Sequence, residues 1–210
     1  TLELTLTARD CGSNMRAPMC GVPFHAFQTY ANRLVSIGHK VAICEQLEDP
    51  SLAKGLVKRG IVKVLTPGTM TDTSGLDDRK NNFLMGIMCV GKQFGVAVAD
   101  ITTGDFEATQ LSYADNGEHL INLIGKYLPS EIIHDKAFAD TREYQVIAKG
   151  FNTSYTLRSD RDFTSSRITD DKHIKTYGDD KFNDKALMFG ACAAVLRYAE
   201  ETQTVQVSHL

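Results

Sequence analysis

Carboxylates recur in this 210-residue sequence at spacings that a two-metal nuclease could use. Asp100 ends the apolar run before Thr102-Thr103-Gly104, Asp105 and Glu107 follow closely, Glu118 stands in the next helical stretch, and Asp135 comes just after a short apolar strand. Two divalent ions about 4 Å apart, held by such a set, would clamp the attacking and leaving oxygens of a phosphodiester. A plainer role suits the same residues. Asp100, Asp105 and Glu107 fit a charged hairpin turn, and Glu118 lies three positions after Asp115, the spacing of a reciprocal helix cap. The plainer role is expected, with metal-dependent cleavage as the alternative.

A second pattern, Gly86-Ile87-Met88-Cys89-Val90-Gly91-Lys92-Gln93, nearly matches the phosphate-cradling G-x-x-x-x-G-K-[ST]. Gln93 cannot replace the hydroxyl that holds Mg²⁺, and the apolar residues between the glycines spell a strand where a loop of free N–H groups is needed. The histidines at 25, 39, 119, 134, 173 and 209 show no ligand spacing, and the five cysteines at 11, 20, 44, 89 and 192 include no C-x-x-C pair. Neither a zinc site nor a disulfide framework is expected. No catalytic residue and no metal ligand is assigned.

What remains is charge. From Pro50 to Thr71 there is no acid, only Lys54, Lys58, Arg59 and Lys63, so an anionic neighbour is expected there. Residues 1–80 hold 10 Lys/Arg against 8 Asp/Glu, and 81–210 hold 13 against 18, which makes the first part +2 and the second −5. The first part suits nucleic acid and the second protein, although a dedicated DNA binder is usually more basic.

The elements that must carry these residues follow from periodicity. Leu2 to Thr7 alternates as a strand, and ARDCGSNMRAP reads as a loop carrying Arg9 and Arg16. Pro23 suits the first turn of a helix whose apolar face is Phe24, Phe27, Tyr30, Ala31, Leu34 and Ile37, stopped by Gly38. Val41, Ile43 and Leu47 alternate as a half-buried strand, and Thr66-Pro67-Gly68-Thr69 has the residues of a type II turn. A polar stretch from Met70 to Asn82 reads as a domain boundary. Beyond it, FLMGIMCV, FGVAVADI and FEATQLS read as a three-stranded meander. A helix capped by Asp115 follows, with Leu120, Ile121, Ile124, Tyr127 and Leu128 as its stripe, then a strand at Ser130–His134, a helix at Phe138–Lys149 and a strand at Thr153–Leu157. Asp160 to Asp184 reads as irregular. A last helix, capped by Asp184 and running through Thr202, is apolar on more than one face and should pack on the preceding domain or on a second copy of itself.

Several of these residues carry a resemblance. Met19-Cys20-Gly21-Val22-Pro23-Phe24-His25-Ala26, then Lys40-Val41-Ala42-Ile43-Cys44-Glu45-Gln46, then Val57-Lys58-Arg59 and Thr66-Pro67-Gly68-Thr69 resemble, in order and in gap length, the N-terminal mismatch-recognition domain of the bacterial MutS mismatch-repair family. The resemblance is direct from Thr1 to about Arg79 and looser beyond. It implies an α/β fold class: an α+β partial mismatch-recognition domain over 1–80, an RNase H-like connector domain over 81–182, and the start of a helical core, a C-terminal helix, over 183–210. The strand and helix order read above agrees with that connector.

By the same resemblance the DNA-binding residues are Arg9, beside phosphate, Met19, opening the turn near the mismatch, and Arg59 with Lys63, on a strand facing the duplex backbone. The family's Phe-x-Glu, whose aromatic ring wedges beside the mispaired base, lies upstream of a strand like Leu2–Thr7. No such triplet precedes Leu2, so the chain reads as a fragment restricted to weak backbone contacts. The resemblance implies no enzyme and no cofactor in this chain: ATP and Mg²⁺ serve the full-length family's distant ATPase. It implies double-stranded mismatched DNA, the MutL protein and, in the full-length family, a homodimer as partners, with the connector coupling ATP state to the DNA clamp. An RNase H-like nuclease domain and a docking module without DNA affinity are the alternatives. No apolar run spans a bilayer, and a cytoplasmic location with no membrane partner is expected.

Overall fold

The computed structural model describes residues 2–12, 15–51, 55–70, 81–112, 117–164 and 186–203. The chain opens with a short hairpin of β1 (Thr7–Asp10) and β2 (Arg16–Met19), paired antiparallel with Thr7 opposite Met19 and Asp10 opposite Arg16. This corrects two expectations. The strand lies at Thr7–Asp10 and not at Leu2–Thr7, because Glu3 takes φ +55° and interrupts the extended run. The supposed loop, residues 8–18, holds all but Thr7 and Met19 of the two strands. Every residue of both strands is exposed, so the ladder and the Thr7 Oγ1 bond to the Met19 carbonyl at 2.8 Å define the hairpin, not burial.

Pro23 precedes a single 3₁₀ turn at Phe24–Ala26, and only then does α1 (Phe27–Ser36) begin. A 3₁₀ turn advances 120° per residue where an α-helix advances 100°, so Phe24 leaves the apolar stripe and stands 85 % exposed. Ile37, past the helix end, is 52 % exposed. The buried residues are Ala31, Asn32 and Val35. Gly38 stops the helix as expected, at φ +89°, with its N–H bonded to the Val35 carbonyl and the His39 N–H to the Leu34 carbonyl.

β3 (Val41–Gln46) and β4 (Arg59–Leu65) form a second antiparallel pair. Val41 and Ile43 pack on Ala31, Val35, Leu65 and Met70, the small core of this first lobe. The turn after β4 closes by a Thr69 N–H bond to the Thr66 carbonyl at 3.2 Å, but Gly68 has no positive φ, so it is not type II. Glycine is required there for space: a Cβ would stand 2.8 Å from Glu131 Cβ and 2.9 Å from Leu84 Cδ1. The expected domain boundary lies almost wholly outside the described residues.

The second lobe is one mixed sheet in the order β7-β6-β5-β8-β9, built from β5 (Phe83–Val90), β6 (Gln93–Asp100), β7 (Asp105–Ser112), β8 (Glu131–His134) and β9 (Ser154–Leu157). The first three strands are an antiparallel meander, and β8 and β9 run parallel to β5. Alternate residues of each strand go to opposite cores. Met85, Ile87, Phe94, Val96, Val98 and Ile132 face α2 (Glu118–Tyr127), α3 (Lys136–Ala139) and α4 (Arg142–Gly150). Leu84, Ala97, Ala99 and Ile133 face α5 (Ala186–Gln203). Both faces are covered, which is why these strands read as continuous apolar runs.

Three further expectations change. α2 starts at Glu118 with Gly117 as its cap at φ +78°, so Glu118 is the first helical residue and not a reciprocal capping partner; Asp115 lies outside the described residues. Leu128, at the far end of that helix, is exposed. The helix expected over Phe138–Lys149 is two helices. Asp135 caps α3 through the Phe138 N–H, and Thr141 caps α4 through the Tyr144 N–H while donating its hydroxyl to the Phe138 carbonyl. Those side-chain bonds compete with continuing the helix. Asp184 and most of 160–184 lie outside the described residues, apart from a 3₁₀ turn at Asp160–Phe163.

α5 lies close on the sheet because glycines let it. A Cβ on Gly86 would stand 2.6 Å from Val195 Cγ2, and one on Gly95 would collide with the Leu187 carbonyl. The helix also touches β4, so it spans both lobes.

Candidate nucleic-acid interface

The hairpin brings two of the four expected DNA-contacting residues together. Directly opposed residues of an antiparallel pair share a face, and residues two apart on one strand do too. Arg9 stands opposite Ala17 and Met19 opposite Thr7, so Arg9 and Met19 lie diagonally on one face. Both are solvent-exposed, Met19 at 44 %. Arg16 lies on the other face, paired with Asp10 at 3.2 Å. Fully solvated as it is, that pair adds little to stability.

Arg59 and Lys63 are not brought together. Four residues apart on a regular strand, they would share a face. β4 carries one extra residue between the partners of Ile43 and Cys44: Ile43 pairs with Lys63, and Cys44 with Ile61, leaving Val62 over. That bulge reverses the alternation. Arg59, opposite Gln46, is exposed on one face, while Lys63 shares the face of Ile43 and is half-buried. In the same lobe Glu48 Oε1 accepts the Lys58 N–H at 2.6 Å, and Lys54 lies outside the described residues.

Four of the carboxylates weighed for metal binding, Asp100, Asp105, Glu107 and Asp135, are engaged by backbone N–H groups or by hydroxyls. Asp100 is buried, and its oxygens accept the N–H groups of Asn82, Thr102 and Thr103 and the Thr102 hydroxyl. Asp105 takes the Thr103 hydroxyl at 2.8 Å, and Glu107 takes the Tyr127 hydroxyl. Asp135 accepts from Cys89 N–H and Phe138 N–H, and burial raises its pKa. No group of three or more His, Cys, Asp or Glu could hold a metal ion among the described residues. Gly86 to Gln93 is a hairpin, with Gly91 at φ +60° as the first turn residue. Burial pushes the Cys89 thiol up to about 11 and the Cys192 thiol up to about 12, so neither supplies a thiolate near neutral pH.

Behind the lobe is a polar cluster that sequence reasoning missed. Glu131, at the start of β8, has no exposure. Its Oε1 accepts the Thr156 hydroxyl at 2.6 Å and the Tyr198 hydroxyl at 2.7 Å and lies 3.2 Å from Lys40 Nζ. Its Oε2 accepts the Gly68 N–H at 3.1 Å. Burial alone would raise its pKa, but the hydroxyls of Thr156, Thr66 and Tyr198 and the Lys40 charge outweigh it and hold the carboxyl below its ordinary value. Tyr198 is pushed up by burial and by the facing carboxylate. One signal was present: in Glu131-Ile132-Ile133, alternation places a carboxylate on the same core face as Ile133, and a carboxylate there must have partners.

A small lobe with an exposed hairpin and a strand carrying Arg59 and Lys63, seated through a buried carboxylate on an α/β sheet covered on both faces, makes this a two-lobed protein of mixed helix and strand. Comparison with known proteins identifies its kind. Residues 1–74 match the family model for MutS domain I and residues 82–210 that for MutS domain II. The whole chain aligns at 47 % identity with the DNA mismatch repair protein MutS of Ruminiclostridium cellulolyticum, at 41 % with that of Acetivibrio thermocellus and at 40 % with that of Clostridium novyi. It spans 24 %, 24 % and 23 % of those relatives' lengths. The chain belongs to the MutS family of DNA mismatch repair proteins.

Proposed function

We propose that this chain is the DNA-contacting and connecting part of a mismatch-repair protein, acting without catalysis of its own. Its first lobe rests on duplex phosphates through Arg9 and Arg59, with Met19 beside Arg9 and Lys63 lending charge from the opposite side of the strand. The second lobe is an RNase H-like connector, a reading supported by three antiparallel strands followed by two parallel ones with helices between them. The −5 balance of residues 81–210 suits a protein partner, here MutL. ATP and Mg²⁺ binding, dimer formation and the clamp belong to the rest of a longer protein in the cytoplasm. The observation that carries this reading is the 47 % identity over the whole chain with a DNA mismatch repair protein.

Arg9, Arg59 and Lys63 act on this reading as phosphate contacts, which carry no sequence information, so duplex binding should be weak, strongly salt-dependent and indifferent to a mismatch. Salt-titrated binding of the chain to matched and mismatched duplexes checks this, and Arg59→Ala should lower the slope of log K against log salt by about one. Absence of binding at low salt would favour a pure docking module. Cleavage of an RNA–DNA hybrid with Mg²⁺ or Mn²⁺, lost in Asp100→Asn, would establish a nuclease instead.

A further inference from the structure

The Glu131 carboxylate draws its donors from three separate parts of the chain. The first lobe sends Lys40 Nζ and the Gly68 N–H, β9 sends the Thr156 hydroxyl, and α5 sends the Tyr198 hydroxyl. Lys40 closes the set by bonding Thr156 Oγ1 at 2.7 Å and standing 5.3 Å from the centre of the Tyr198 ring. The sheet does not need this cluster for its own cohesion. β8 is already paired on both sides, by β5 and β9, and its Ile132 and Ile133 are fully buried in the two cores.

A carboxylate sealed from water is tolerated only while its partners are in place, and their geometry is directional. An apolar seam would let the first lobe slide on the second. This one admits the position in which Lys40 and Gly68 both reach Glu131. We infer that Glu131 is a positioning residue, locking the orientation of the first lobe on the sheet and, through Tyr198, making that orientation depend on α5 remaining seated. The direct contact of α5 with β4 runs in the same direction. Where the lobe touches DNA, the lock sets the angle at which Arg59 is offered; this consequence rests on the function proposed above, and the lock itself does not.

Hydrogen exchange of the whole chain, read by mass spectrometry, tests the lock. Tyr198→Phe keeps the ring in α5 and removes only its hydroxyl, and Lys40→Met acts from the half-exposed rim. Each should speed exchange of the first-lobe peptides 27–36, 41–46 and 59–65 by about fivefold or more, with peptides 83–90 and 93–100 at their original rates. The double variant should add less than the two separate effects combined, because both substitutions break one network. Unchanged first-lobe rates, or an equal rise in both lobes, would overturn the inference, the second outcome marking Tyr198 as an ordinary core residue. Duplex binding measured on the same samples separates the two readings. First-lobe exchange that rises in a protein that binds no DNA leaves the lock standing and removes the DNA-contacting role.

Discussion

At Glu131 five donors, the Gly68 N–H among them, oppose one desolvation cost, and their balance can be read through pH. The groups facing this carboxyl are Lys40 from the first lobe, Thr156 from β9 and Tyr198 from α5, with Thr66 as a further hydroxyl. Its folded pKa lies below the ordinary 4.5, so it contributes stability that is fully present above that value and is lost as pH falls through the depressed one. His134 acts in the same sense from higher pH. Burial lowers its pKa from 6.5, partly offset by its contact with the Asp135 carbonyl, so the unfolded chain takes up a proton before the folded one does. Urea midpoints should therefore be flat between about pH 7 and 8, decline as pH falls from 6.5 and fall more steeply below 4.5, while above about pH 8 the raised Cys89 and Cys192 thiols lower them again. Glu131→Gln should cost about 3 kcal/mol at neutral pH and abolish the lower limb while leaving the upper one. A lower limb that persists in the variant would assign the acid sensitivity to other carboxylates. Such a residue is only half legible in a sequence. Its burial follows from alternation, but Gly68 and Tyr198 lie 63 and 67 positions away, and nothing local names them as partners.

Elements were legible where burial enforced a period. The five strands of the second lobe and α2 each present apolar residues to covered faces, and apolar runs for the strands, with a helical stripe for α2, placed them within a residue or two. Periodicity failed where burial was not the cause. Both strands of the first hairpin are exposed along their length, so no alternation marks them, and Leu2 to Leu6 alternates without pairing among the described residues. The basic strand misled differently: Arg59 and Lys63 have the right spacing, and one extra residue at Val62 parts them. Close approach of α5 to the sheet was also invisible, although its cause is a residue type. Gly95→Ala would drive a methyl group into the Leu187 carbonyl, a backbone atom that cannot rotate aside. That substitution should destabilise the protein by about 3 kcal/mol or more, checked by urea denaturation, and should raise exchange at the start of α5 before its end. A cost below about 1 kcal/mol would mean that the helix does not lie this close to the sheet at Gly95.

For the whole molecule, α5 is the element on which both lobes depend. Ala191, Ala194 and Val195 cover Leu84, Ala97, Ala99 and Ile133, and Tyr198 reaches the joint with the first lobe. Ending the chain after residue 164 would bare one entire face of the sheet. That shortened protein should bind a hydrophobic dye and lose its near-ultraviolet circular dichroism while keeping most of its far-ultraviolet signal. A cooperative, dye-free unfolding transition would show that the remaining layers suffice. The apolar faces of α5 pack on the sheet and on the neighbouring 3₁₀ turn; no helix among the described residues is long and apolar enough to cross a membrane.

The order in which the joint's parts leave the ribosome has a consequence of its own. Lys40 and Gly68 emerge early, whereas Tyr198 follows roughly 130 to 160 residues later, a delay on the order of ten seconds at ordinary rates of synthesis. Through that interval the newborn first lobe has only its own small core, and its seat on the second is unfinished. A nascent chain stalled before residue 186 should therefore be clipped by protease within the first lobe, and one stalled well beyond residue 203 should resist.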